Sequence, residues 1–202
     1  MIPLRQVEGR AISLPDADID TDIIYPARFL LITEKRGLGR YAFHDRRGAP
    51  GFPFDAPDAK EATILIAGAN FGCGSSREQA PWALADLGLR VIVAPSFGEI
   101  FFSNCFKNGL LAITLPAEQV GALHGAATAG ATIAVDLEAG TIAAPGVTTI
   151  PFAVDADSRE SLLNGWDETA RIRARHSADI TRFEAAQRRA SPWLWTKDDI
   201  DA

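Results

Sequence analysis

TILIAGANFGCGSSREQAPWAL, residues 63–84, is the stretch around which the whole chain is read. A β-branched apolar run, TILIA (63–67), enters a turn holding Gly68, Gly72 and Gly74, after which Ala80, Ala83, Leu84 and Leu87 recur at helical spacing. The pattern predicts strand, tight loop and helix. Ser75 and Glu78 stand at capping-box spacing and place the helix start at the serines. Pro81 has no N–H, so a helix begun at Ser76 leaves the Arg77 carbonyl without its usual partner and the first turn distorted. Glycines admit positive φ and let backbone amides approach a ligand, a helix N-terminus favours negative charge, and Arg77 offers a planar fork of donors. Such a loop suits a carboxylate.

Downstream, Gly88 closes the first helix and RVIVA (90–94) reads as a second short buried strand. Ser96 and Glu99 repeat the capping-box spacing. Phe102, Cys105 and Phe106 share a face of a second helix that Gly109 ends, and LLAITLP (110–116) reads as a third strand. This β-α-β-α-β alternation predicts parallel strands with right-handed crossovers. From residue 131 to 152 short alternating runs broken at Ala139-Gly140 and Pro145-Gly146 predict antiparallel hairpins, and the last fifty or so residues read as helical, with Asp157 and Glu160 as another box. Upstream, residues 7–13 form a β-like segment leading into a loop with acids at Asp16, Asp18, Asp20 and Asp22. That loop lacks the glycine and closing glutamate of a calcium loop. Residues 46–62 are rich in proline and glycine and mark an irregular surface connection. No linker divides the chain, so one α/β domain spanning 1–202 with a mixed sheet is expected.

Composition narrows the function. At 202 residues, 47% hydrophobic and 23% charged, the chain is an ordinary globular protein. Its net charge of −6 argues against binding nucleic acid through the overall field. No apolar run is long enough for a membrane span, and MIPLRQVEGR lacks the apolar core of a signal peptide, so a cytoplasmic location is expected. Cys73 and Cys105 are too few to hold an iron–sulfur cluster from this chain alone. His44, His124 and His176 lie far apart, without metal-ligand spacing, and no metal site is expected. Ser75 lies in C-G-S-S-R, which is not a nucleophile elbow, and neither a phosphate loop nor a dinucleotide fingerprint is present.

The string NFGCGSSRE followed by APWAL resembles the small subunits of 3-isopropylmalate dehydratase, a family similar to the swivelling domain of aconitase. DIDTDIIYPARFL (18–30), APSFGEIFFSNCFKNGLL (94–111), RHSADITRFEAA (175–186) and SPWLW (191–195) carry the same resemblance across nearly the whole chain. It implies a single swivelling β/β/α domain. It also implies that Ser75 is the general base that removes a proton from carbon, and that Ser76 and Arg77, with Gly74 beside them, hold a substrate carboxylate. Thr21 and Asp22 belong to a loop near the active site and count among the substrate-binding residues that the resemblance implies. Leu31 and Ile32, in a segment (27–39) that is a mobile loop in the family, offer an apolar surface to the substrate's alkyl end. Many members have basic or polar residues where Leu31 and Ile32 stand, and most have histidine in place of Gln79.

The activity so implied is isomerisation of 2-isopropylmalate to 3-isopropylmalate by dehydration and rehydration, in leucine biosynthesis. The partner would be a large subunit carrying a [4Fe-4S] cluster, in a heterodimer or higher hetero-oligomer, and the substrate a small dicarboxylate. The residues leave open a related diacid such as citraconate or dimethylmaleate, and a non-catalytic module that keeps only the anion loop. A serine hydroxyl is a weak base, so its alkoxide needs strong local stabilisation.

Overall fold

A computed structural model describes residues 1–32 and 34–195. Its contacts gather into two compact units, Met1–Gly165 and a second beginning at Trp166. In chain order the first unit holds β1 (Gln6–Gly9), β2 (Ala11–Leu14), a one-turn α1 (Thr21–Ile24), β3 (Ile64–Ala67), α2 (Gln79–Asp86), β4 (Val91–Ala94), α3 (Glu99–Lys107) and β5 (Leu111–Thr114). It continues with α4 (Ala117–Thr128), β6 (Ile133–Asp136), β7 (Thr141–Ala144), β8 (Val147–Pro151) and α5 (Ala156–Asn164). The second unit is α6 (Glu168–Ala190), kinked at His176, followed by a 3₁₀ turn at Pro192–Leu194.

Parallel and antiparallel pairing are both present and lie in separate sheets. The order β2-β3-β4-β5 is parallel throughout, and β1-β6-β7-β8 is antiparallel throughout. Every residue of β3 and β4 is fully buried, as expected of central parallel strands covered on both faces. The segment at 7–13, expected as one strand, is two: it breaks at Arg10, β1 joins the antiparallel sheet through β6, and β2 joins the parallel sheet through β3. The seven residues thus serve both sheets.

Helix α4 was not expected. Its sequence, AEQVGALHGAAT, carries two glycines and no side-chain cap, yet Val120, Leu123 and Ala126 are buried and the helix packs over β2, β3 and β4. Tertiary burial overrides its weak local preference. None of the three expected capping boxes forms. Helix α2 begins at Gln79 with Glu78 as an N-cap that makes no side-chain bond, and α3 begins after Gly98. Ser96 Oγ instead accepts from Asn70 N at 2.8 Å. Helix α5 is capped by Asp155, whose Oδ1 accepts from Ser158 N at 2.9 Å. The later start of α2 resolves the Pro81 problem, because the proline now falls in the first turn, where an N–H has no helical partner to lose.

The connection at 46–62 is pinned rather than loose. Phe43 and Phe54 rings lie 4.5 Å apart, Arg47 Nη1 donates to Phe54 O at 2.5 Å, and Asp55 accepts from Gly48 N at 2.7 Å. Among the described residues no helix is long and apolar enough to cross a membrane.

Candidate active site

At the C-terminal ends of the parallel strands, where α/β sheets place their ligands, the glycine loop is gripped from both sides. On one side the β2–α1 connection runs alongside it: Asp18 N donates to Ala69 O at 2.9 Å, Gly72 N to Ile19 O at 2.7 Å, and Thr21 N to Cys73 O at 2.9 Å. Side chains extend the pairing. Asn70 Nδ2 donates to Asp18 Oδ1 at 2.7 Å, Thr21 Oγ1 donates to Ser75 O at 2.9 Å, and Arg77 Nη1 bonds Asp22 Oδ1. On the other side the β4–α3 connection contributes Phe71 N to Ser96 O at 3.1 Å and Gly98 N to Phe71 O at 2.9 Å. The acidic loop that resembles a turn in the sequence is therefore a template for the serine loop.

Two glycines have distinct reasons to be there. Gly72 has φ +73°, and a Cβ on it would lie 2.2 Å from Phe101 Cγ, so it is required by packing inside the protein. Gly74 has φ +90°, and a Cβ on it would stand 3.4 Å from Asp20 Cβ and 3.6 Å from Thr21 Oγ1. Only Gly74 is exposed, together with Ser75 and Ser76, and the Ser75 bond to the neighbouring loop uses its carbonyl.

Arg77 is largely withdrawn. Its side chain is 12% exposed, with Nη1 on Asp22 and a longer contact to Tyr25 O at 3.5 Å. That guanidinium bond holds the Asp22 carboxyl below the ordinary carboxylate range, helped by the Ala27 N–H and opposed by burial. A carboxyl lowered by folding lets the unfolded chain take the proton first, so the pair stabilises fully above a pH of about 4 and the gain disappears as pH falls through the lower folded value. Asp22 is 50% exposed, and screening limits the gain to at most about 1 kcal/mol. The urea midpoint of Asp22→Asn is expected to lie below that of the parent at about pH 7, and by a smaller margin at about pH 3. A gap of equal size at both pH values would show that the ion pair is not its origin.

The structure brings Thr21, Asp22, Gly74, Ser75, Ser76 and Arg77 together. Thr21, expected on the substrate, is 1% exposed. Leu31 and Ile32 part company: Leu31 is 93% exposed, whereas Ile32 packs against the core. Tyr25 joins their segment to the loop, since its carbonyl meets Arg77 and its hydroxyl donates to Phe29 O at 3.1 Å. Sequence reasoning missed Tyr25, Asn70 and Ser96. Asn70, at φ +57°, is of the residue type that tolerates a left-handed backbone, which is a signal for a turn but not for a partner.

Cys73 is half-buried, and its thiol is pushed up by desolvation and then by Asp20 and Asp18. Cys105 is fully buried and its thiol is raised further. A thiol reagent is expected to label Cys73 slowly and Cys105 only after unfolding, as peptide mapping before and after denaturant checks. Among the described residues no three His, Cys, Asp or Glu side chains gather so as to hold a metal ion. Cys73 and Cys105 are the two thiols of the chain, fewer than the four thiolates that commonly hold an iron–sulfur cluster. Cavities of about 340 and 880 Å³ lie beside residues 53–62 and take no residue from the glycine loop.

A parallel β-α-β sheet presenting a serine pair and an arginine after its second strand, joined to an antiparallel sheet, defines a swivelling domain of the aconitase type. The family model described as aconitase C-terminal domain matches residues 1–118. A chain from Rhodospirillum centenum named 3-isopropylmalate dehydratase small subunit is 50% identical over 193 residues, covering 92% of this chain and 95% of its own. One of the same name from Dinoroseobacter shibae is 46% identical over 197 residues, covering 94% and 98%. A crystal structure titled 3-isopropylmalate dehydratase, from Methanocaldococcus jannaschii, superimposes with a TM-score of 0.68 at 26% identity, covering 88% of this chain and 99% of that one. The chain belongs to the aconitase C-terminal domain family and, within it, to the small subunits of 3-isopropylmalate dehydratase.

Proposed function

We propose that this chain is the small subunit of a hydro-lyase that converts 2-isopropylmalate to 3-isopropylmalate through dehydration and rehydration, in leucine biosynthesis, and that its serine loop is half of a site completed by a large subunit. The observation that carries this reading is an exposed serine pair held on a loop braced from both sides. A large subunit fits that exposed face. In the proposal it holds a [4Fe-4S] cluster, which supplies a Lewis acid for the departing hydroxyl. The assembly is a heterodimer or a higher hetero-oligomer, and a cytoplasmic location is part of the proposal.

On this chain, Ser75 Oγ, as the alkoxide, takes the proton from the carbon adjacent to the one that bears the departing hydroxyl, and becomes a neutral hydroxyl. On rehydration it gives a proton to the carbon that lost the hydroxyl, while hydroxide adds to the carbon that lost the proton, and the alkoxide is restored. Both contacts of Arg77 described above use Nη1, so Nε and Nη2 are left to meet a carboxylate in the planar, bidentate manner that suits guanidinium. Asp22 then aims the fork rather than consuming it. Ser76 and the Gly74 backbone hold the other side of that carboxylate, and closure against the large subunit removes water that would weaken each contact. Leu31, exposed, meets the alkyl end of the substrate, with Ile32 packed against the core beside it. A hydrophobic contact of that size discriminates by only about 10–200-fold per methylene, so the diacid preference is expected to be graded.

Reconstitution tests the proposal. The purified chain is expected to show no dehydration of isopropylmalate, and full turnover is expected on adding the large subunit with its cluster intact. Turnover by the isolated chain would refute the shared site, and a reconstituted pair that prefers citraconate or dimethylmaleate would redirect the substrate assignment.

A further inference from the structure

We propose that Thr21 is a positioning residue for the serine loop: buried and out of reach of substrate, it clamps the backbone on both sides of Gly74 and so sets where Ser75 Oγ stands. This inference rests on the reading of Ser75 as the base.

The loop carries a weak point. Gly74, at φ +90°, separates the well-anchored Phe71–Cys73 backbone from the serines and has no side chain to hold it. Thr21 spans it. The Thr21 N–H donates to Cys73 O at 2.9 Å, before the glycine, and the Thr21 hydroxyl donates to Ser75 O at 2.9 Å, after it. The same hydroxyl stands 3.6 Å from the position a Gly74 Cβ would take, so the side chain lies directly against the hinge.

Thr21 is itself fixed. It is the first residue of α1, whose single turn is capped by Asp20 Oδ1 accepting from Ile23 N at 2.7 Å and closed by Tyr25 N donating to Thr21 O at 2.9 Å. At 1% exposed it is one of only three buried polar residues among those described, the others being Asn104 and Ser161. A β-branched residue is restricted about χ1, and the bond to Ser75 O selects among the few rotamers open to Thr21. The acceptor is the carbonyl of the proposed base. Fixing that carbonyl restricts the Ser75 backbone and leaves the side chain little beyond its own rotamer.

Thr21→Val keeps the shape and removes the donor. In the reconstituted two-subunit enzyme its kcat is expected to fall about 10²-fold with KM held within about threefold, because a base displaced by an ångström loses rate more than binding. Thr21→Ser, which restores a hydroxyl, is expected to recover kcat to within about threefold of the parent. A merely structural role would lower the thermal midpoint and the yield of active enzyme while leaving kcat per assembled site unchanged. Unchanged kcat in Thr21→Val, or an equal loss in Thr21→Ser, overturns the proposal. If Thr21→Val does not yield folded subunit, Thr21→Ala is scored by the same kcat and KM criterion. Ser75→Ala separates the two levels: if it keeps full turnover, the base assignment fails first, whereas an inactive Ser75→Ala beside a fully active Thr21→Val defeats only the clamp.

Discussion

Ser75→Ala in the reconstituted enzyme is expected to lower kcat by about 10³-fold while KM stays within about threefold. The hydroxyl is on the exposed face of the loop, and the loop is anchored by the Ser75 carbonyl, the Cys73 carbonyl and the Gly72 N–H rather than by the Ser75 side chain. Removing Oγ therefore deletes the proton acceptor without loosening the backbone. Binding should survive, since the carboxylate contacts assigned to Ser76, Gly74 and Arg77 do not need it. Steady-state kinetics on isopropylmalate and substrate affinity measured by calorimetry on the same preparation check both halves. A variant that turns over at the parent rate would end the case for serine as the base, and one that loses affinity and keeps kcat would make Ser75 a binding residue.

The second large effect is on stability. Gly72→Ala is expected to destabilise the chain by about 3 kcal/mol or more, since a left-handed backbone and a core clash act together. The added Cβ would stand 2.2 Å from Phe101 Cγ and 2.4 Å from Cδ1. Phe101 is 2% exposed and its ring is boxed in by Phe71 at 5.5 Å and Phe97 at 6.5 Å, so it cannot step aside. For a chain of this length that loss corresponds to a fall of about 6–12 °C in thermal midpoint. Turnover should fall with it, because Gly72 N also donates to Ile19 O and so ties the serine loop to the acidic one. Scanning calorimetry decides the matter, and a midpoint within about 2 °C of the parent would mean that the loop repacks around the methyl.

Local chemistry made much of this legible before any coordinates. ILIA and VIVA are apolar without alternation, and buried parallel strands are what such runs become. The GCGSSRE string announces an exposed polar turn between strand and helix, and the loop is one. Capping signals were the poorest guide: Ser75, Ser96 and Asp157 all have the right spacing, yet each of the three helices starts elsewhere. For Ser96 the reason is competition: its Oγ accepts from Asn70 N, 26 residues away and outside any local window. Helix α4 escaped notice for the opposite reason, because its stability comes from the sheet beneath it.

Strand, glycine loop, serine pair and family all follow from residue order, because each depends on neighbours within a few positions or on a string long enough to be distinctive. Which side chains face one another does not. The split of residues 7–13 between two sheets, the burial of Thr21 against Ser75 and the pairing of Arg77 with Asp22 depend on folding remote segments into contact. There, unpaired carbonyls and an uncompensated guanidinium take the nearest partner that packing offers.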